Sequence, residues 1–170
     1  MALFPGGFGT LDEAMETLTL VQTGKRNPMP LMLVDEPGGT YWSKWIRFFQ
    51  DELRASGYIS DSDFSLFERV DSVEAAVGGI NRFSSRYHSM RYVNGHLVIR
   101  LTSALADGHV QKLRERFSDI LAPGGTMAPS GPLPVEQEEQ ELVHLPRLVV
   151  DFNRRDFGRL RNLIDAINRF

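Results

Sequence analysis

Two rhythms of apolar and polar positions divide this chain. Over residues 10–23, Leu11, Met15, Leu18 and Val21 recur at helical spacing, and Gly24 stands where a helix would be capped. The stretch PLMLVD at 30–35 is instead a continuous apolar run closed by a carboxylate, the pattern of a strand buried on both faces. Helical spacing returns over 41–56 with Trp42, Trp45, Ile46, Phe49 and Leu53, and Gly57 ends it. FSLFERV at 64–70 reads as a third short strand, after residues 2–4 and 30–35. Asp71 or Ser72 then caps a helix running to about Arg86, with Val73, Ala76, Val77 and Ile80 on one side.

Strand, helix, strand, helix, strand, helix is the alternation of an α/β fold, here a Rossmann-like parallel sheet with flanking helices. Ligands in such sheets bind beyond the carboxyl ends of the strands. Both FPGGFGT (4–10) and VDEPGGT (34–40) fall there.

The pattern changes after residue 87. Residues 90–101 predict a strand or a small hairpin turning at Asn94-Gly95, and 103–120 a helix. Residues 122–141 are rich in proline and glycine and then acidic, which predicts a mobile linker. Residues 142–152 read as a strand and 154–169 as a helix. The expected organisation is therefore 1–87 as the Rossmann-like part and 88–170 as a small βαβα extension.

Composition narrows the functional classes. Apolar residues make up 42% of the 170 and charged ones 24%, enough for a real core in a soluble chain. A net charge of −3 gives no basic surplus for nucleic acid. Cysteine is absent, which removes disulfide and thiolate chemistry. No apolar run reaches membrane-spanning length and the first residues do not read as a signal peptide, so the expectation is a cytoplasmic protein without membrane contact.

The chemistry centres on residues 5–13, PGGFGTLDE. Glycines at 6, 7 and 9 let an anion approach the backbone, and some of them would suit a positive φ. The helix that follows offers unpaired N–H groups and a partial positive charge, and Thr10 adds a hydroxyl. For Glu13 two readings stand open on the residues alone. Thr10-x-x-Glu13 fits a capping box. The same carboxylate beside a bound phosphate would face the sugar and stabilise an oxocarbenium-like transition state.

PGGFGTLDE resembles the PGGxGTxxE signature of the Lonely Guy (LOG) family, cytokinin-riboside 5′-monophosphate phosphoribohydrolases often labelled lysine decarboxylases. The resemblance continues through LTLVQTGK (18–25), PLMLVD (30–35), GYIS (57–60) and FERVDSVEAAV (67–77), and covers about residues 2–87. It implies hydrolysis of a nucleoside 5′-monophosphate to free base and ribose 5-phosphate. Gly6, Gly7, Gly9 and Thr10 would hold the phosphate, Glu13 would be the catalytic carboxylate, no metal or redox cofactor is needed, and a homodimer is expected. An arginine of the family signature and the earlier βα units would precede Met1. The chain is therefore expected to be the C-terminal portion of a longer protein, weak or inactive by itself. The rival expectations are a noncatalytic nucleotide- or cofactor-binding LOG-like protein, and a protein whose tail mediates assembly.

Other features carry plainer readings. The second PGGT (37–40) lacks a third glycine and reads as a turn, as does the third (123–126). Asp35 reads as a capping or loop-bonding carboxylate, and Trp42 and Trp45 as packing residues. His88, His96, His109 and His144 have no metal-ligand spacing. The arginines at 82, 86, 91, 154, 155, 159, 161 and 169 read as solvated faces.

Overall fold

The apolar run at 30–35 folds as the middle strand of a parallel sheet. The computed structural model describes residues 1–136 and 139–170. They form two units, Met1–Arg82 with Asp156–Asn162, and Phe83–Arg155 with Leu163–Phe170. The segment 156–162, read from sequence as part of the extension, thus counts with the first unit.

In the first unit β1 (Ala2–Leu3), β2 (Met32–Val34) and β3 (Glu68–Val70) pair in parallel in that order. The helices α1 (Phe8–Gln22), α2 (Tyr41–Phe48) and α3 (Val73–Phe83) follow the strands. Side chains along β2 alternate between faces. Leu31 and Leu33 join Leu3, Ala14 and Trp42 in one buried cluster, built from α1 and α2. Met32 and Val34 join Val70 and Ala76 in another, with Ile80 of α3 packed on it. Helices on both faces are the doubly wound arrangement the alternation implied. Gly79 lets α3 approach closely: a Cβ there would lie 2.8 Å from Met32 Sδ.

Several boundaries differ from the sequence reading. Residues Asp61–Leu66 form a 3-10 helix, so the third strand begins only at Glu68. The cause is local: the Ser60 N–H donates to Asp63 Oδ2 at 2.8 Å, closing a turn before the strand can start. The helix expected over 41–56 is α-helical to Phe48 and π-helical over Phe49–Arg54. In α3, Ser72 accepts from the Ala75 N–H at 3.1 Å and so serves as the cap, but Val73 and Val77 are half exposed. Arg161, read as solvated, is buried and donates to the Met29 carbonyl at 3.1 Å.

The second unit is an antiparallel sheet of β4 (Tyr87–Val93), β5 (His96–Leu101), β6 (Met127–Ser130) and β7 (Arg147–Val150), in spatial order β4-β5-β7-β6. The β4–β5 hairpin turns at Asn94 (φ 49°) and Gly95 (φ 91°), as that dipeptide predicted. Helix α4 (Asp107–Arg116) and a 3-10 turn (Ser118–Ile120) occupy the stretch expected as one helix. Helix α5 (Phe157–Ile167) supplies Leu163, Ile164 and Ile167 to this core. The α/β character holds, with four strands where the βαβα pattern counted two.

The missed strand is β6. It lies inside the stretch read as a linker, together with a 3-10 turn at Pro134–Glu136 whose Glu136 is fully buried; Gln137 and Glu138 lie outside the described residues. Prolines and glycines outweigh the apolar signal of MAPS, and the strand exists because β7 offers it a partner. Strand β7 itself is shorter than the 142–152 expected.

Asp151 closes the end of this sheet. Its Oδ2 accepts the Thr126 N–H at 2.7 Å and the Thr126 hydroxyl at 3.1 Å, and Oδ1 lies 2.5 Å from His96 Nδ1. The Thr126 N–H, then His96, hold its carboxyl below the ordinary 3.8. A depressed folded-state pKa contributes stability that is complete above the unfolded value and is lost as pH falls through the folded one. Urea midpoints measured from about pH 6 down to about pH 2 should fall across the carboxyl range, and Asp151→Asn should flatten part of that acid limb.

Candidate active site at the carboxyl ends of the first strands

Helix α1 begins at Phe8 with Gly7 as its N-cap residue, two residues earlier than the Thr10 start read from sequence. Thr10 therefore sits inside the first turn, and the Thr10–Glu13 capping box does not form. No side chain caps the helix and its first turn holds no acid. The Leu11 N–H reaches the Gly7 carbonyl at 3.2 Å. The amides of Phe8, Gly9 and Thr10 precede that bond and have no acceptor within the helix. The positive end of the helix dipole is thus left open to solvent at the carboxyl end of β1.

The three glycines serve different needs, and none has positive φ. At Gly6 a Cβ would lie 2.1 Å from Thr10 Oγ1, because the threonine folds back over the loop. At Gly7 and Gly9 a Cβ would meet nothing within 4 Å. The protein's own packing demands glycine at the first position only. Glu13 is exposed one turn further along α1, on the side of Gly9 and Thr10. Gly6, Gly7, Gly9, Thr10 and Glu13 are in this way brought to one end of one helix.

The loop is held from α2. The Tyr41 hydroxyl donates to the Gly6 carbonyl at 2.7 Å, and Trp42 Nε1 donates to the Leu3 carbonyl at 3.1 Å. Trp42 is fully buried, and by the usual cost of emptying such a site about 3–5 kcal/mol depends on that ring. Asp35, buried at the end of β2, fixes α2 in turn: Oδ1 accepts the Trp42 N–H at 3.3 Å and Oδ2 accepts Arg69 Nε at 3.0 Å. Arg69 also donates to the Gly39 carbonyl at 2.9 Å. Asp35 is therefore the capping carboxylate that its position suggested.

The second PGGT is a tight turn. Gly38 has φ 77°, and at Gly39 a Cβ would lie 2.8 Å from the Glu36 carbonyl oxygen. Beside it opens a cleft of about 470 Å³, lined by Pro5, Glu36, Thr40, Tyr41, Lys44 and Trp45. Tyr41 and Lys44 were not singled out from sequence. The usable signal was topological, since the start of the helix after β2 faces the same strand ends as the glycine loop. Among the described residues no group of three or more His, Asp or Glu side chains is gathered as a metal ion would require, and no helix is long and apolar enough to cross a membrane.

Residues 1–80 match the family model described as "Possible lysine decarboxylase". The match takes in β1, the glycine loop, α1, β2, α2, β3 and most of α3. No curated protein matches the chain.

The glycines yield a stability test independent of any ligand. Gly9→Ala places a methyl in open space within a helix and should raise stability by up to about 1 kcal/mol. Gly6→Ala displaces the Thr10 side chain and should lower it by about 1 kcal/mol. Paired urea titrations of the two variants check the opposite signs.

Proposed function

We propose, from the match of residues 1–80 to the "Possible lysine decarboxylase" family model and the LOG-type signature PGGFGTLDE within it, that the chain is a LOG-family enzyme built to hydrolyse the N-glycosidic bond of a nucleoside 5′-monophosphate. The observation that carries the reading is the uncapped, acid-free start of α1 at a strand end, with Glu13 one turn along the same face. In this reading the amides at 7–10 and the Thr10 hydroxyl take the phosphate. Glycine at 7 and 9, where a side chain would meet nothing of the protein, leaves room for the phosphate oxygens.

Glu13 then stands about 5–6 Å beyond the first turn, the separation of helical neighbours three or four apart. A phosphate in the loop directs the ribose toward it. As the bond to the base breaks, positive charge grows on the anomeric carbon and ring oxygen, and the carboxylate stabilises it. Water supplies a hydroxyl to the anomeric carbon and a proton to the departing base, giving ribose 5-phosphate. A carboxylate close to an anionic ligand weakens simple binding, so its presence favours catalysis over a purely binding role.

Release of adenine from AMP by the purified chain, followed chromatographically, tests this. Glu13→Gln should reduce the rate by about 10²-fold or more while nucleotide affinity holds or tightens, since the repelling charge is gone. Equal rates would remove Glu13 from the chemistry, and saturable AMP binding without release would favour the noncatalytic reading.

A further inference from the structure

Met15, Leu18, Thr19 and Gln22 recur along the second half of α1 at spacings of three and four, and so share one face. That face is one wall of a pocket of about 140 Å³, whose other walls include Phe49, Leu53, Leu66 and Phe67. An apolar cavity of about 150 Å³ lined by Leu, Ile and Phe holds a benzene ring. The wall opposite α1 has an uncommon backbone. Phe49–Arg54 is π-helical, with the Ala55 N–H donating to the Gln50 carbonyl at 3.3 Å and the Tyr58 N–H to the Leu53 carbonyl at 2.9 Å. Such turns are rare and frequently mark functional sites.

One carboxylate joins these apolar walls. Asp63 and Leu66 stand three apart in the 3-10 helix, where side chains at that spacing eclipse, so Asp63 shares the side of the buried Leu66, and both line the pocket. Asp63 Oδ2 accepts Gln22 Nε2 and the Ser60 N–H, each at 2.8 Å. Gln22 comes from the pocket face of α1, so this contact ties the 3-10 helix to α1 at the pocket's edge. Asp63 Oδ1 has no hydrogen-bond partner among the described residues, and the carboxylate has no ion pair there; Arg54 pairs with Asp61 instead. An unpaired carboxylate oxygen and the Thr19 hydroxyl, on the same helix face as Gln22, thus stay open to a donor.

We propose that this pocket binds a small primary ammonium carried on a single aromatic ring. The ring fills the space among Met15, Leu18, Phe49 and Leu53, and the ammonium pairs with Asp63 and Thr19. A carboxylate without a cation of its own selects a cation, and a primary ammonium brings three donors in a compact group. An anion of the same shape is repelled, and an uncharged one gains the apolar contact without the ion pair. All these residues belong to the first unit and lie in the half of α1 remote from the glycine loop, so the proposal does not rest on the reading of that loop.

Titration of the intact chain with benzylamine at neutral pH, followed in amide NMR spectra, tests this. Thr19, Gln22, Leu53 and Asp63 should shift saturably. Benzyl alcohol, uncharged and of the same shape, should bind about tenfold more weakly, the worth of a charge-assisted contact, and benzoate more weakly still. Asp63→Asn keeps a side-chain oxygen for Ser60 and Gln22 but removes the charge, and should lower benzylamine affinity to that of the alcohol. Because that change can loosen the 3-10 helix, Leu53→Trp serves as the second variant: Leu53 is only half buried, and the indole should fill the pocket of a folded protein and abolish binding of both ligands. Loss of benzylamine binding in folded Leu53→Trp, with the alcohol weaker in the parent chain, supports the site. No saturable shift at these four residues, shifts scattered over surface carboxylates, equal binding of the alcohol or benzoate, or undiminished binding by either folded variant would each overturn it.

Discussion

One buried carboxylate organises the working end of the first unit. Asp35 ends the central strand with its side chain out of solvent, and it takes Arg69 from the neighbouring strand and the Trp42 N–H from the helix behind. Stranding either charge in that position would cost several kcal/mol, so the three groups hold one another in place. From this anchor α2 presents Trp42 to the end of β1 and Tyr41 to the glycine loop. The loop's shape is thus set by groups distant in sequence from the loop itself. The carbonyls of residues 3 and 6, on either side of Pro5, are both engaged by α2.

How much of this was legible in the sequence depends on which physical scale governed each element. The buried strand PLMLVD and the apolar stripes of α1 and α2 are dictated by periodicity and burial, and they appear where the pattern placed them. The Asn94-Gly95 turn needs positive φ at both residues, a requirement its sequence meets. Boundaries set by competing local bonds were not legible. The start of α1 moved to Phe8 because glycine at 7 serves as an N-cap without a side chain, and the start of β3 moved to Glu68 because Ser60 and Asp63 close a turn first. Strand β6 and the buried arginines 100 and 147, opposite one another on β5 and β7, are products of tertiary pairing. Nothing in MAPS announces β7 as its partner, and nothing in an isolated Arg147 announces Arg100 opposite it.

The candidate site divides in the same way. That residues 6, 7, 9, 10 and 13 belong together follows from helix geometry once the loop is placed. That Gly6 is glycine because of Thr10, whereas Gly7 and Gly9 face open space, becomes visible only when the packing is known. The difference matters chemically. A glycine the fold does not need, at a helix start that no side chain caps, costs stability in the free protein. Such a cost is expected where a backbone must admit a ligand. Tyr41 adds to this by fixing the loop from behind rather than by occupying the approach to it.

The account's central claim is that the clamped loop offers its amides to the phosphate of a ribose phosphate. Titration of the chain with ribose 5-phosphate, read residue by residue in amide NMR spectra, tests it most directly. The account predicts saturable shifts concentrated at Gly7, Phe8, Gly9 and Thr10. Silence at those four amides in a folded protein, with the ligand's effects appearing elsewhere, would contradict it.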